Sequence, residues 1–186
     1  MSNSLLLAAA AVLVVVPTVA AADPAIRIYE SPKLSEVSEG DTVVAGNPDD
    51  AYAAISDYGR WTTMFPDIRQ VIVTRQNGVD AMVSLVYSDH RNNLHFHNDP
   101  AHRRMWFENT HSRADMWADL TFTPGPNANT TTVHARVYAD VPGVAGVFVS
   151  ESKLRHGRTD RIQSDLSKLR VYFASRATAP VVATNR

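Results

Sequence analysis

The stretch that decides the fold is residues 115–141, DMWADLTFTPGPNANTTTVHARVYADV, which predicts two β-strands around a Pro-Gly-Pro-Asn turn. Within 115–123 and again within 130–141, every second residue is apolar, so each strand carries one apolar and one polar face. The apolar positions are Met116, Ala118, Leu120, Phe122, Val133, Ala135, Val137, Ala139 and Val141. A sheet built from such strands is half-buried, and another apolar surface has to cover it.

The segment 150–174 supplies that surface, because its apolar residues recur at helical spacing. These residues are Leu154, Ile162, Leu166, Leu169 and Phe173, and the same spacing is expected to leave Lys153, Arg155, Arg158, Arg161, Lys168 and Arg170 largely outside. One helix lying across a curved sheet does not fill the whole concavity. The sequence therefore predicts a hydrophobic cavity between the helix and the sheet.

The remaining chain predicts the other parts of an α+β fold. A first strand over 36–45 ends at Gly46-Asn47-Pro48, and two short helices follow within 49–64. Further strands are expected at 68–76, 80–88, 93–98 and 103–110. The prediction is a seven-stranded curved antiparallel sheet wrapped around a long C-terminal helix.

This order of elements resembles the START-like, or helix-grip, superfamily (also called SRPBCC or Bet v 1-like). It is most similar to the polyketide cyclase/dehydrase and coenzyme-Q-binding branches. The residues that carry the resemblance are Pro48-Asp49-Asp50-Ala51-Tyr52, Asp57-Tyr58-Gly59-Arg60-Trp61, Phe65-Pro66-Asp67-Ile68, and the late hairpin Leu120–Pro124 with Thr130–Val133. The resemblance covers about residues 36 to 174. It implies a fold and a cavity, but no single chemistry, because one fold hosts many functions.

The N-terminal segment predicts export. Residues 1–22 contain no charged side chain, and Leu5 to Val16 is an unbroken apolar run that is too short to span a bilayer. Small residues at Ala20 and Ala22 offer a cleavage site before Asp23. We therefore expect a signal peptide (1–22), a leader (23–35), the helix-grip domain (36–174) and a disordered tail (175–186), in a secreted or periplasmic protein. An uncleaved anchor and a cytosolic tail are the alternatives for residues 1–22.

Composition and motifs exclude several classes of function. The chain has 186 residues, 18 Lys and Arg against 19 Asp and Glu, and no Cys. Disulfides, thiol nucleophiles and thiolate metal sites are therefore excluded, and nucleic acid is not expected as a partner. Hydrolase, metalloprotease and nucleotide-binding motifs are absent. Residues 150–176 carry seven basic against three acidic residues, so weak contact with a membrane surface is one alternative to a plain solvated helix face.

Histidines form the one cluster that could carry chemistry. His95 and His97 share a face of the strand 93–98, which is the spacing that two imidazole ligands of a metal need. However, Leu94 and Phe96 are expected to take the buried face, which leaves the two histidines on the solvated face, with His134 as a possible neighbour. We therefore expect no metal, no cofactor and no catalytic residue here, although a catalytic histidine remains an alternative.

The sequence thus predicts a monomer that binds or carries a hydrophobic small molecule, such as a lipid, a quinone or a polyketide-like compound. The residues expected to contact the ligand are Trp61, Phe65, Tyr87, Phe96, Phe107, Met116, Leu120, Phe122, Val137 and Leu166, with Trp61 and Phe65 near the mouth of the cavity. An enzyme of the cyclase or dehydrase type that uses the same cavity is the first alternative. A module that recruits a partner protein through the outer face of the sheet is the second.

Overall fold

The computed structural model describes residues 26–31, 34, 36–110, 115–140 and 150–177. In this part of the chain, eight strands form one antiparallel sheet, and a long helix lies against it. The strands are β1 (Ile26–Glu30), β2 (Val37–Ala45), β3 (Gln70–Asn77), β4 (Asp80–Val86), β5 (Arg91–Asp99), β6 (Arg104–Asn109), β7 (Asp115–Pro124) and β8 (Thr130–Asp140). The helices are α1 (Pro48–Ser56), α2 (Trp61–Met64) and α3 (Glu151–Ala177), with a 3-10 turn at Tyr58–Arg60. The predicted α+β helix-grip architecture is confirmed.

The strands are ordered β1-β2-β8-β7-β6-β5-β4-β3. From β3 to β8, each strand pairs with the next one in sequence. β2 instead pairs with β8, so that Val37 lies opposite Tyr138 and Ala45 lies opposite Thr130. The sheet curves around α3, and the core fills the space between them.

The predicted strand number, seven, is wrong. The eighth strand is β1, which lies in the segment expected to be a loose leader, and it pairs with β2 from Ile26↔Thr42 to Glu30↔Ser38. Ile26 is buried and Ile28 packs against the core, while Tyr29 is exposed. This alternation is a strand signal, but the flanking Pro24 and Pro32 made the segment look like a loop. Proline is tolerated beside an edge strand, so the two prolines are compatible with β1.

α3 presents Ile162, Leu166, Leu169 and Phe173 to the core, as predicted. The expectation that Arg158 lies outside is wrong, because this side chain is almost completely buried. Its guanidinium donates to Glu151 Oε1 at 2.7 Å and to the carbonyl oxygen of Ala139 at 3.2 Å. Burial of a charge is tolerated where such partners satisfy it.

The short helices close one end of the core. Asn47 caps α1, since its Oδ1 accepts a hydrogen bond from the Asp50 amide at 2.9 Å, and Pro48 occupies the first helical turn. Asp57 then accepts a hydrogen bond from the Gly59 amide at 3.2 Å and starts the 3-10 turn that leads into α2. These caps place Trp61 and Phe65 against the inner face of the sheet.

The predicted signal peptide, 1–22, lies outside the described residues. The predicted tail begins at 175, but α3 continues to Ala177, and residues 178–186 lie outside the described part. Among the described helices, none combines the length and the apolar character that crossing a bilayer requires.

Candidate functional site

A cavity of about 150 Å³ lies between α3 and the concave face of the sheet. Its walls come from α2, from strands β4 to β8 and from α3, and most of the lining side chains are apolar. An apolar cavity of about this volume can accept a ligand as large as one aromatic ring. The arrangement is the one that a single helix on a curved sheet predicts.

Eight of the ten predicted ligand-contacting residues line this cavity: Trp61, Phe65, Tyr87, Phe107, Met116, Leu120, Val137 and Leu166. Phe96 and Phe122 do not line it. The Phe96 ring packs 5.3 Å from the Trp61 ring and 4.8 Å from the Phe107 ring, between centroids, so it lies behind the cavity wall. Phe122 packs edge-on against Tyr52 near α1.

The sequence predicts Trp61 near the mouth of the cavity, but in the structure Trp61 does not lie at an exposed mouth. Only 4% of its surface is exposed, and its Nε1 donates a 2.8 Å hydrogen bond to the carbonyl oxygen of Ile55. Partly exposed lining side chains are found instead on β6, β7, β8 and α3, among them Phe107, Leu120, Val137 and Arg161. The cavity therefore reaches solvent on the side where α3 faces these strands.

A polar group of side chains interrupts the apolar wall. Arg161 Nε donates to Asp165 Oδ2 at 2.6 Å, and Arg161 Nη2 donates to the Tyr87 hydroxyl at 3.3 Å. Burial raises the pKa of the Asp165 carboxyl above its usual value, although Arg161 opposes the shift. Asp165 Oδ1 has no hydrogen-bond donor among the described residues, and Lys168 Nζ lies 3.5 Å from it. This oxygen can therefore accept a hydrogen bond from a ligand hydroxyl.

The sequence pattern did not reveal this polar group. Arg161 and Asp165 are four residues apart in α3, so they share one side of the helix, directly beside the core positions Ile162 and Leu166. Arg161 was expected to point outwards with the other cations of α3. Helical spacing places it at the border of the apolar stripe, where a long side chain can turn towards the cavity. Asn92 on β5 is a further polar lining residue that the sequence did not single out.

The histidines lie on the face of the sheet opposite the cavity. Leu94 and Phe96 are fully buried, as predicted, while the side chains of His95 and His97 are 31% and 24% exposed. His134 is not their neighbour, because it lies on β8, three strands from β5, with its Nδ1 2.7 Å from Asp41 Oδ1. Asp80 on β4 is the acidic neighbour that His95 and His97 share, and Glu108 on β6 lies near His95 as well.

Comparison with known proteins identifies the fold. No family model matches the chain, and no curated protein matches it in sequence. Among solved structures, the aromatase/cyclase Zhui from Streptomyces sp. R1128 superposes with a TM-score of 0.62 at 15% identity, over 83% of this chain and 97% of Zhui. A START superfamily protein from Mycobacterium smegmatis gives a TM-score of 0.60 at 10% identity, over 75% and 98% of the two chains.

The di-domain aromatase/cyclase BexL, from the BE-7585A biosynthetic pathway, gives a TM-score of 0.65 at 18% identity. The match covers 77% of this chain and 48% of BexL, so the aligned region spans about half the length of that protein. At these identities the comparisons establish the START-like, helix-grip fold and leave the activity to be argued from the site.

Proposed function

We propose that this helix-grip protein binds and carries a hydrophobic small molecule in the cavity between α3 and the sheet. The observation that carries the proposal is the cavity itself, because a well-packed core leaves few voids of this size. Burying about 200 Å² of apolar ligand surface contributes about 5 kcal/mol before the costs of ordering. This contribution alone corresponds to a dissociation constant of about 0.2 mM, whereas binding in the micromolar range takes about 8 kcal/mol. Hydrogen bonds to the polar side chains of the cavity would have to supply the difference, and no catalytic group is needed.

The ligand that fits best has an apolar ring and one polar substituent. The ring would occupy the space between Leu120, Val137 and Leu166, whereas the substituent would reach the polar group formed by Tyr87, Arg161 and Asp165. Arg161 can donate to a carbonyl or phenolate oxygen, and Asp165 can accept from a hydroxyl. Quinones and polyketide-like phenols combine these features. A long acyl chain would require the cavity to widen.

A dye-binding experiment tests the proposal. The dye N-phenyl-1-naphthylamine fluoresces more strongly in apolar surroundings. It should bind with a stoichiometry near one, with its phenyl ring inside the cavity and its naphthyl ring at the side that reaches solvent, and a quinone should displace it. Leu120→Asp places a charge in the cavity wall and should abolish binding, because an unpaired charge cannot be buried without a large cost. Thr121→Asp, on the next residue and the opposite face, is the matched control and should bind normally.

A second variant separates loss of the cavity from loss of the fold. Ala118 lines the cavity, so Ala118→Leu fills part of it with apolar volume. This variant should remain folded but bind the dye at least about tenfold more weakly, a loss of about 1.4 kcal/mol. Equal dye binding by wild type, Leu120→Asp and Ala118→Leu would place the dye outside the cavity and would refute the proposal.

Catalysis of the cyclase or dehydrase type is the second candidate, and the Tyr87-Arg161-Asp165 group favours it. A carboxyl group with a raised pKa beside an arginine can move a proton while the arginine holds an enolate oxygen. A reactive poly-β-ketone should then be turned over, and Asp165→Asn should abolish turnover while dye binding persists. Absence of turnover in wild type would leave carriage as the function, whereas turnover that is unchanged in Asp165→Asn would exclude Asp165 as the group that moves the proton.

We further propose that the protein acts after export, since residues 1–22 have the composition of a signal peptide. The intact mass of the exported protein should correspond to a chain that begins at or near Asp23.

Weak contact with a membrane surface remains a proposal as well. Only part of the positive charge of α3 is available for it, because Arg158 is buried and Arg161 is paired with Asp165.

A further inference from the structure

Asp80, His95 and His97 converge on the face of the sheet opposite the cavity. Among the described residues, they form the one group of at least three His, Asp or Glu whose ligand atoms all lie within 4.8 Å of one another. Asp80 Oδ1 is 2.7 Å from His97 Nδ1 and 3.7 Å from His95 Nε2. All three side chains are partly exposed, so an ion can reach them from solvent.

Strand register, rather than chance proximity of long side chains, brings these groups together. Asp80 on β4 lies directly opposite His97 on β5, and His95 lies two residues before His97 on the same face. The intervening Phe96 is fully buried, which fixes the direction in which both imidazoles point. The His97 ring is also stacked on Trp106 of β6, with 3.7 Å between the ring centroids.

We propose that Asp80 Oδ1, His95 Nε2 and His97 Nδ1 bind one divalent ion of the zinc type. Ligand atoms about 2.0 to 2.1 Å from a tetrahedral zinc ion lie about 3.3 Å apart. To reach this value, the distance from Asp80 Oδ1 to His97 Nδ1 has to lengthen by about 0.6 Å, and the distance from Asp80 Oδ1 to His95 Nε2 has to shorten by about 0.4 Å. Rotation of partly exposed side chains accommodates changes of this size. His97 Nε2 is buried, so Nδ1 is the atom that can reach the ion without movement of the ring.

The surroundings of the three ligands support this assignment. Glu108 Oε1 lies 3.9 Å from His95 Nδ1, the nitrogen that points away from the proposed ion. This distance is longer than a hydrogen bond, but rotation of the half-exposed Glu108 side chain would close it. A carboxylate hydrogen-bonded to the non-ligating nitrogen of a metal-bound histidine orients the ring and makes it more basic. Two imidazoles and one carboxylate favour zinc, copper or nickel over magnesium, which prefers oxygen ligands. The fourth position of a tetrahedral ion would be left to water.

Zinc titration of protein without an affinity tag tests the site, with dialysis followed by metal analysis as the readout. Wild type should bind one zinc ion, and magnesium should not compete. The double variant His95→Gln/His97→Gln should lose at least about 100-fold in affinity, and Glu108→Gln should lose about tenfold. His90→Gln is the matched control, because His90 is an exposed histidine just before β5 that pairs with Asp89, outside the cluster. It should bind zinc as wild type does.

Thermal unfolding gives a second readout. A zinc concentration of about 100 times the dissociation constant should raise the Tm of wild type by about 5 to 10 °C, and it should leave the Tm of the double variant unchanged. If the double variant does not fold, Asp80→Asn removes the carboxylate ligand and should give the same loss of binding. Equal zinc binding by wild type and the variants, or no binding by wild type at about 100 µM zinc, would overturn the proposal.

Discussion

The indole of Trp61 links the cavity wall to the short helices. Its Nε1 donates to the carbonyl oxygen of Ile55, and its ring packs 5.2 Å from Phe65 and 5.3 Å from Phe96, between centroids. We therefore predict that Trp61→Ala lowers the free energy of unfolding by about 3 to 5 kcal/mol, as expected for a fully buried aromatic side chain. Urea unfolding followed by circular dichroism measures the change.

Trp117→Ala is the matched control, because it removes the same type of side chain from a different site. Trp117 stacks on Tyr138 on the outer face of the sheet and is only partly buried, so its removal should cost about 1 kcal/mol. If the two variants were equally stable, the indole of Trp61 would not be part of the core, and a role at the rim of the cavity would have to be reconsidered.

At the scale of elements, the contact between α3 and β2 depends on Gly40. A Cβ atom at this position would lie 2.5 Å from Ile162 Cγ2 and 3.2 Å from Leu166 Cδ1. We predict that Gly40→Ala lowers the free energy of unfolding by about 1 to 3 kcal/mol, because the helix has to move away from the strand. Gly157→Ala within α3 meets nothing within 4 Å and should instead stabilise the protein by up to about 1 kcal/mol.

Thermal unfolding of the two alanine variants, side by side, measures these opposite effects. Both substitutions add one methyl group. Opposite changes in stability would therefore reflect the local packing at each glycine and not the chemistry of the substitution. A Gly40→Ala protein as stable as wild type would mean that α3 is held loosely against the sheet. The size of the cavity would then be variable.

At the scale of the whole molecule, β1 covers the edge of the sheet beside β2. We predict that deletion of residues 1–34, which removes β1, lowers the free energy of unfolding by about 2 to 3 kcal/mol through the loss of Ile26 and Ile28. The uncovered edge of β2 should also promote self-association. Deletion of residues 1–25, which keeps β1, is the control. Light scattering measures self-association, and thermal unfolding measures stability. Equal results for the two truncated proteins would contradict the prediction.

Patterns within one element were predictable from sequence, whereas relations between distant segments were not. Alternation placed Met116, Leu120 and Val137 on the concave face correctly, because the pleat of a strand fixes which side a residue faces. Arg158 was misplaced, since the carbonyl of Ala139 that satisfies it is not visible in the helical pattern. Asp80 escaped notice for the same reason, because it meets His97 only through strand pairing.

The pairing of β2 with β8 has a consequence for the order of folding. Asp41 and His134 are 93 residues apart in sequence but bonded in the sheet, whereas β3 to β8 are joined by successive hairpins. Closing a long loop costs more entropy than closing a short one, so the hairpins are expected to form before β2 docks on β8. As the chain emerges with its N-terminus first, β2 must wait until β8 has emerged, and α3 follows later still. The concave surface therefore stays uncovered until the last helix arrives, and a hydrophobic compound present at that moment can be enclosed as the chain closes over it.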